Sequence, residues 1–261
     1  MDRLGVIGTG NMGSAIINGV KKGSGIEILA FDVNSERLGQ LPVTPCATES
    51  EVVEKCRYVL LAVKPQVLGS VLDAVVSAVK PETVFISICA GISAEFIREK
   101  LGNPDVKVVT VMPNTPMMLG FGASAMAHDE KVTDEEFAFA KKVISSCGIA
   151  VEIPMDKMKE IICVNGSSPA FIYLFAKGFL DYAASVGISA DAALELFSAS
   201  LTGSAKMLTE SGMTVDELIK QVSSPGGTTI AGLEKLYSGD IVGDVDAACK
   251  ACTARAYELG K

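Results

Sequence analysis

Gly8-Thr9-Gly10-Asn11-Met12-Gly13 places three glycines at the spacing GxGxxG, directly after an apolar run and at the opening of a helical one. That spacing has a physical reason. Gly8 permits a tight turn, Gly10 lets the main chain approach a pyrophosphate, and Gly13 lets helix and strand pack closely. Free N–H groups and the positive helix end then face the phosphates. The pattern predicts dinucleotide binding by Gly8, Thr9, Gly10, Asn11, Met12 and Gly13. Asp32 follows 19 residues after Gly13, at the expected end of a second strand. An acid there commonly takes the ribose hydroxyls and favours NAD over NADP. Ser35 and Arg37 stand just beyond it and suit a 2′-phosphate, so NADH and NADPH both remain open.

Three further strand ends point to the same edge: Ala62-Val63-Lys64-Pro65-Gln66, Cys89-Ala90-Gly91 and Met112-Pro113-Asn114-Thr115-Pro116. Pro65 keeps Lys64 extended, which turns its ammonium toward a bound cofactor. Each segment alone reads as a turn. Together they add Ala62, Val63, Lys64, Pro65, Ala90, Gly91 and Asn114 to the cofactor candidates. A second cluster, Ser223-Ser224-Pro225-Gly226-Gly227-Thr228-Thr229, opens a helix far downstream. Two glycines and consecutive hydroxyls at a helix start make an anion cradle. The Ser224 hydroxyl and the amides of Gly226, Gly227 and Thr228 suit a small carboxylate. The plainer reading is an ordinary capped helix.

The elements that must position these residues change character near residue 154. Up to there, short β-rich runs alternate with helical stretches. Strands are expected at Arg3–Gly8, Ile26–Phe31, Tyr58–Val63, Thr83–Ile88, Val106–Met112, Ala123–Ala127 and Ile149–Ile153. Helices are expected at Met12–Lys22, Glu49–Lys55, Val67–Val79, Ala94–Leu101 and Asp134–Ser146. Runs such as Val59-Leu60-Leu61-Ala62-Val63 are apolar on both faces, as strands covered on both sides must be. The alternation predicts a parallel, doubly wound, Rossmann-like α/β domain over 1–154. Residues 155–261 read as helices only: 156–186, 190–210, 214–222, 228–237 and 244–259. Ser168-Pro169 should kink or split the first of them. That helix is apolar nearly all round between Pro169 and Ala176, which predicts burial in a multi-helix assembly.

The chain has 261 residues, 23 Lys plus Arg, 31 Asp plus Glu and a formal charge of -8. With 21% charged residues and a mean hydropathy of +0.37, the surface is sparse in charge, which points to a buried subunit interface. The acidic pI, about 4.8, argues against binding a phosphate backbone, so nucleic acid is excluded as a partner. Seven cysteines, an odd and scattered set, do not form a secreted disulfide framework. Cys249 and Cys252 form a CxxC inside an Ala-rich helical stretch, where helix packing explains them better than zinc. A single histidine, His128, builds no metal site, and none is expected. No apolar run approaches the ~18–20 residues of a membrane span. No signal-peptide pattern precedes the first strand, so a reduced, cytoplasmic protein is expected.

The chain resembles the pyrroline-5-carboxylate reductase family along essentially its whole length. The resemblance rests on Ile7-Gly8-Thr9-Gly10-Asn11-Met12-Gly13, Ala62-Val63-Lys64-Pro65 and Met112-Pro113-Asn114-Thr115-Pro116. It rests above all on Val222-Ser223-Ser224-Pro225-Gly226-Gly227-Thr228-Thr229 with Ala231-Gly232-Leu233. Asn165-Gly166-Ser167-Ser168-Pro169-Ala170-Phe171 is similar to the family's Ser-Gly-Ser-Gly-Pro-Ala-Tyr and departs from it at Asn165, Ser168 and Phe171.

The resemblance implies hydride transfer from NADPH or NADH to the C=N carbon of 1-pyrroline-5-carboxylate, giving L-proline in the last step of its biosynthesis. It implies that Thr229 hydrogen-bonds the ring nitrogen while Ser224 and the amides of Gly226, Gly227 and Thr228 hold the carboxylate. An imine is basic and arrives readily protonated, so no histidine acid is required. The resemblance also implies an all-α dimerisation domain, with the substrate loop beside a cofactor site at the interface of a homodimer that can assemble into a decamer. Two other functions compete. A β-hydroxyacid dehydrogenase would need a Lys with an Asn four positions along one helix, and Lys177 is followed by Asp181 instead. A non-catalytic nucleotide-binding regulatory protein would have no use for the Thr228-Thr229 block.

Overall fold

The short apolar runs become strands β1 (Arg3–Ile7), β2 (Glu27–Phe31), β3 (Thr44–Pro45) and β4 (Tyr58–Leu61), then β5 (Val84–Ser87), β6 (Lys107–Met112), β7 (Gly122–Ala127) and β8 (Gly148–Glu152). They form one sheet in the order β3-β2-β1-β4-β5-β6-β7-β8. The connecting helices are α1 (Asn11–Gly23), α2 (Ser35–Gly39), α3 (Glu49–Lys55), α4 (Pro65–Val75), α5 (Ala94–Leu101) and α6 (Asp134–Ser145). All seven expected strands form. The two-residue β3 and the five-residue α2 are too short to leave a hydrophobic period in the sequence.

Strand alternation explains why the central runs are apolar throughout. Tyr58 and Leu60 of β4 face one core with Ile16 and Ile17 of α1 and Val143 of α6. Val59 and Leu61 face a second core with Val52 of α3, Leu72 of α4 and Ile97 of α5. The sheet is therefore covered on both sides, and a charge at either position would be buried. From β3 to β6 every pair is parallel. The expected all-parallel sheet is nonetheless corrected at one place: β7 runs antiparallel to β6, and β8 follows β7. Between Met112 and Gly122 lies only a 3-10 turn, Thr115–Leu119, whereas a parallel return needs a crossover of about a dozen residues.

The structure describes residues 3–259 and is a computed structural model. The chain divides into two units. One runs to Pro169 and takes the chain back from Cys252; the other is Ala170–Ala251. The helices after the sheet are α7 (Ser168–Ser185), α8 (Ala190–Glu210), α9 (Val215–Gln221), α10 (Thr228–Ser238) and α11 (Ile241–Leu259). The stretch expected to be helical over 156–186 is split next to Ser168-Pro169, as that pair predicts. A 3-10 turn at Met155–Lys157 and a π-helix at Ile162–Ser167 precede α7. Pro169 is the cause, because it has no N–H to give the carbonyl four residues back.

Within Ala170–Ala251, aromatic contacts join α7 and α8: the rings of Phe179 and Phe197 stack at 4.6 Å. Yet only Ala183 and Ala193 of this unit are buried, while Leu174 is 70% and Leu196 68% exposed. The apolar α7 is thus not covered by its own chain, contrary to what its composition predicts for a helix at rest. Its cover must come from elsewhere.

Candidate active site

The strand order reverses between β1 and β4, and the loops leaving these two strands are the ones that the glycines and Lys64 occupy. In open α/β sheets ligands bind at such a switch point, beyond the carboxyl ends of the strands. The helices that begin there are also unusual. α3, α5 and α6 are capped by the side chains of Thr48, Ser93 and Thr133. α1 begins at Gly10 and α4 at Lys64, and neither has a side-chain cap. The first-turn amides of α1 are left for an external acceptor, whereas in α4 Pro65 has no N–H and the Val67 amide donates to the Lys64 carbonyl at 3.0 Å.

The three glycines divide by geometry. A Cβ on Gly8, whose φ is +96°, would lie 2.7 Å from the carbonyl oxygen of Ala62, and one on Gly13 would lie 2.2 Å from that of Gly8. Those two glycines close the β1, α1 and β4 junction. A Cβ on Gly10 would meet nothing within 4 Å. The open glycine is the one whose main chain must meet the pyrophosphate, so the residues present fit a dinucleotide. Asn11 and Met12 follow on the first turn of α1 with their side chains outward or half-buried.

Asp32 lies one residue past β2 and faces the glycine loop. Its Oδ2 accepts from the amide of Thr9 and from the Thr9 hydroxyl at 2.9 Å, and its Oδ1 accepts from the amide of Asn34 at 2.8 Å. Burial raises its pKa, but these hydrogen bonds and the nearby Arg37 outweigh that and hold it below the usual carboxylate range. Thr9 itself is fully buried, and its carbonyl accepts from the Ser14 hydroxyl at 2.6 Å. Ser35 and Arg37 are exposed on the first turn of α2. The cap of that helix is Asn34, whose Oδ1 accepts from the Arg37 amide at 3.0 Å.

At the end of β4, Lys64 is extended (φ -65°, ψ 143°) with Pro65 at the first helical position, as expected. Cys89 fastens this loop to β5, its thiol donating to the Val63 carbonyl at 3.3 Å. Burial pushes that thiol up to about 11, so it serves as a small packing group and not as a nucleophile. Ala90 and Gly91 complete the β5 end, Gly91 with φ +77°.

Asn114, a cofactor candidate by sequence, has its side chain engaged elsewhere. Its Oδ1 accepts from the Ala123 amide at 2.9 Å and its Nδ2 donates to the Asn165 carbonyl at 3.1 Å. That carbonyl is the one Pro169 cannot serve. Asn165 in turn donates its Nδ2 to the carbonyls of Met112 (2.7 Å) and Ala123 (3.0 Å). Sequence inspection gave Asn165 no role; the proline four residues later was the available signal, since it frees a buried carbonyl that some donor must meet.

The second cluster is built at the start of α10. Gly226 has φ +72°, a conformation that favours glycine. The Gly227 amide donates to the Ser224 carbonyl at 2.9 Å, closing a turn. A Cβ on Gly227 would lie 2.6 Å from the Ser224 Oγ, so the missing side chain lets that hydroxyl sit at the mouth of the helix. No side chain caps α10, and Thr228 and Thr229 are exposed on its first turn. Ser223 stays apart from the cradle, its hydroxyl donating to the Ile219 carbonyl at 2.7 Å. The alternative Lys177 is exposed and ion-paired with Asp181 on its own helix.

Three comparisons with known proteins bear on these clusters. Residues 155–259 match the family described as pyrroline-5-carboxylate reductase dimerisation. Residues 3–91 match the one described as NADP oxidoreductase, coenzyme F420-dependent. The chain is 34% identical to the pyrroline-5-carboxylate reductase of Methanosarcina acetivorans, over 99% of this chain and 98% of that one. It is 31% identical to pyrroline-5-carboxylate reductase 3 of Xenopus laevis, over 99% and 96%. The crystal structure of Plasmodium falciparum pyrroline carboxylate reductase with NADP bound superposes with a TM-score of 0.90 at 27% identity, covering 100% of this chain and 98% of that one. The pyrroline-5-carboxylate reductase of Coxiella burnetii gives a TM-score of 0.93 at 26% identity, covering 100% and 99%.

Proposed function

The chain belongs to the pyrroline-5-carboxylate reductase family, and on that premise we propose how its two clusters of site residues divide the reaction. The enzyme is an NAD(P)H-dependent oxidoreductase that reduces the C=N bond of 1-pyrroline-5-carboxylate to L-proline. The observation that carries this is a likeness running over 99% of the chain, through both units.

The glycine loop Gly8–Gly13 and the uncapped start of α1 hold the pyrophosphate of NADPH or NADH. Ala62, Val63, Lys64, Pro65, Ala90 and Gly91 line the remaining strand ends. The cofactor supplies hydride when bound. At the start of α10, Ser224 and the amides of Gly226 and Thr228 take the substrate carboxylate, using the positive helix end, while the Gly227 amide holds the turn by donating to the Ser224 carbonyl. The Thr229 hydroxyl oxygen accepts from the protonated ring nitrogen and fixes which face of the imine is presented. Positioning is then the main contribution of the protein, since the iminium needs no further acid.

The uncovered apolar faces of α7 and α8 support a homodimer formed through the helical half, and the decamer is a larger assembly of such dimers. The seven free cysteines suit a cytoplasmic location. Initial rates of NADPH and NADH oxidation with 1-pyrroline-5-carboxylate test the activity. Substrate-dependent turnover with proline as product is expected. Cofactor binding without turnover would turn the reading toward another imine.

A further inference from the structure

We infer that Asp32 positions the glycine loop and does not read the cofactor ribose, so that discrimination between NADPH and NADH falls to Arg37. The inference rests on the dinucleotide-binding reading above and concerns a position that usually serves the ribose. A carboxylate offers about four lone-pair sites. Three are filled here, by the Thr9 amide, the Thr9 hydroxyl and the Asn34 amide. A ribose diol that donates through both hydroxyls needs two acceptors, and one site remains. To chelate the diol, Asp32 would have to release Thr9 or Asn34.

Releasing Thr9 would cost the loop its anchor. Thr9 sits between Gly8 and Gly10 with no exposed surface, and its carbonyl is held from the other side by Ser14. The Gly8 amide donates to the Phe31 carbonyl at 3.0 Å, next to Asp32 in sequence. Asp32 thus ties the end of β2 to the loop that meets the pyrophosphate, a part common to both cofactors. The 2′ position is where the cofactors differ, by a phosphate. Arg37 is the cation beside Asp32, and its guanidinium makes no hydrogen bond among the described residues, while its amide is fixed by Asn34. A 2′-phosphate brings negative charge toward Asp32 and Glu36, and Arg37 is the group that offsets it.

The test is equilibrium binding of NADH and NADPH, followed by nicotinamide fluorescence, to wild type, Asp32→Asn and Arg37→Ala. Hydrogen exchange of the Thr9 amide in cofactor-free protein is measured alongside. Asp32→Asn should weaken NADH roughly tenfold, should weaken NADPH by less because the change also removes a negative charge beside the 2′-phosphate, and should speed Thr9 exchange without any cofactor. Arg37→Ala should weaken NADPH roughly tenfold and leave NADH unchanged. In Asp32→Asn, NADPH binding that is unchanged or tighter while NADH weakens, or unchanged Thr9 exchange, would overturn the inference. Thr9→Val removes one of the three bonds without changing any charge, so an equal loss of both cofactors is expected there whether or not Asp32→Asn folds; an NADH-selective loss would overturn the inference. Wild type that binds neither cofactor would instead defeat the dinucleotide reading and this inference with it.

Discussion

Asn114 and Pro169 are linked through a carbonyl that neither owns. Pro169 cannot donate to the Asn165 carbonyl, and the Asn114 side chain does so in its place at 3.1 Å. The local failure of one helix turn is repaired by a residue 51 positions earlier, at the end of β6. This bond, with the two that Asn165 sends to Met112 and Ala123, fixes the π-helix against the strand ends that flank the cofactor edge.

If that repair matters, removing it should depend on the proline. Asn114→Ala should cost about 2 kcal/mol, from an unmet carbonyl and an unmet amide. In a Pro169→Ala background, where an N–H is restored, the cost should fall by about 1 kcal/mol. Urea unfolding of the four proteins measures the coupling. Additive costs would mean that the two residues act separately.

Thr229→Ala should lower kcat/KM by roughly 10- to 100-fold, the value of a hydrogen bond to a charged group. NADPH affinity should stay within about twofold, since the proposed partner is the substrate nitrogen. Steady-state kinetics beside cofactor titration separates the two. Parallel loss of both would remove Thr229 from its role.

The glycine loop should give opposite results at neighbouring positions. Gly10→Val should abolish cofactor binding with little change in melting temperature, because a side chain there meets open space. Gly13→Ala should destabilise the fold by about 1–3 kcal/mol, because its Cβ would strike the Gly8 carbonyl. Thermal melts without cofactor decide the matter.

Glu136 is a buried carboxylate whose protonation should destabilise the fold in acid. It is 1% exposed, with Lys107 and Arg57 at 2.7 and 2.8 Å and the Thr133 amide at 3.0 Å. Burial raises its pKa, but these partners win and bring it from 4.5 down to about 2. A depressed folded pKa contributes stability above the unfolded value and loses it as pH falls. The contribution, on the order of 3 kcal/mol, should therefore be complete above pH 4.5 and disappear on the way to about 2. Glu136→Gln should lose about 3 kcal/mol at neutral pH and show a flatter stability profile in acid. An unchanged profile would count against the pairing.

Leu174→Glu should yield a monomer by sedimentation and reduce turnover sharply, since α7 exposes that side chain to 70% in a single chain. The wild-type melting temperature should rise with protein concentration. A variant that stays dimeric and active would move the interface elsewhere.

Much of this architecture is legible in the sequence. The all-apolar β4 run and the glycine spacing are local patterns, and α1, α3 and α5 form where amphipathic periodicity places them. What escaped the sequence depends on contacts between distant residues. The bonds from Asp32 to the glycine loop were not legible, because the partner, Thr9, comes 23 residues earlier on the adjoining strand's loop. Asn114 looked free because the carbonyl it meets is exposed by a proline far downstream. The reversal at β7 depends on the short span after Met112, not on any period. The turn at Gly226 and Gly227 was visible because turn chemistry is local.

The order of elements also affects how the protein is made. All eight strands, and both cores between the sheet and its helices, come from residues before Ile153, and the sparsely buried helices follow. At about 5–20 residues per second, the sheet unit has seconds to close before the apolar surfaces of α7 and α8 leave the ribosome. Those surfaces then emerge tethered to a sheet that is already closed, to which only the chain from Cys252 has still to return.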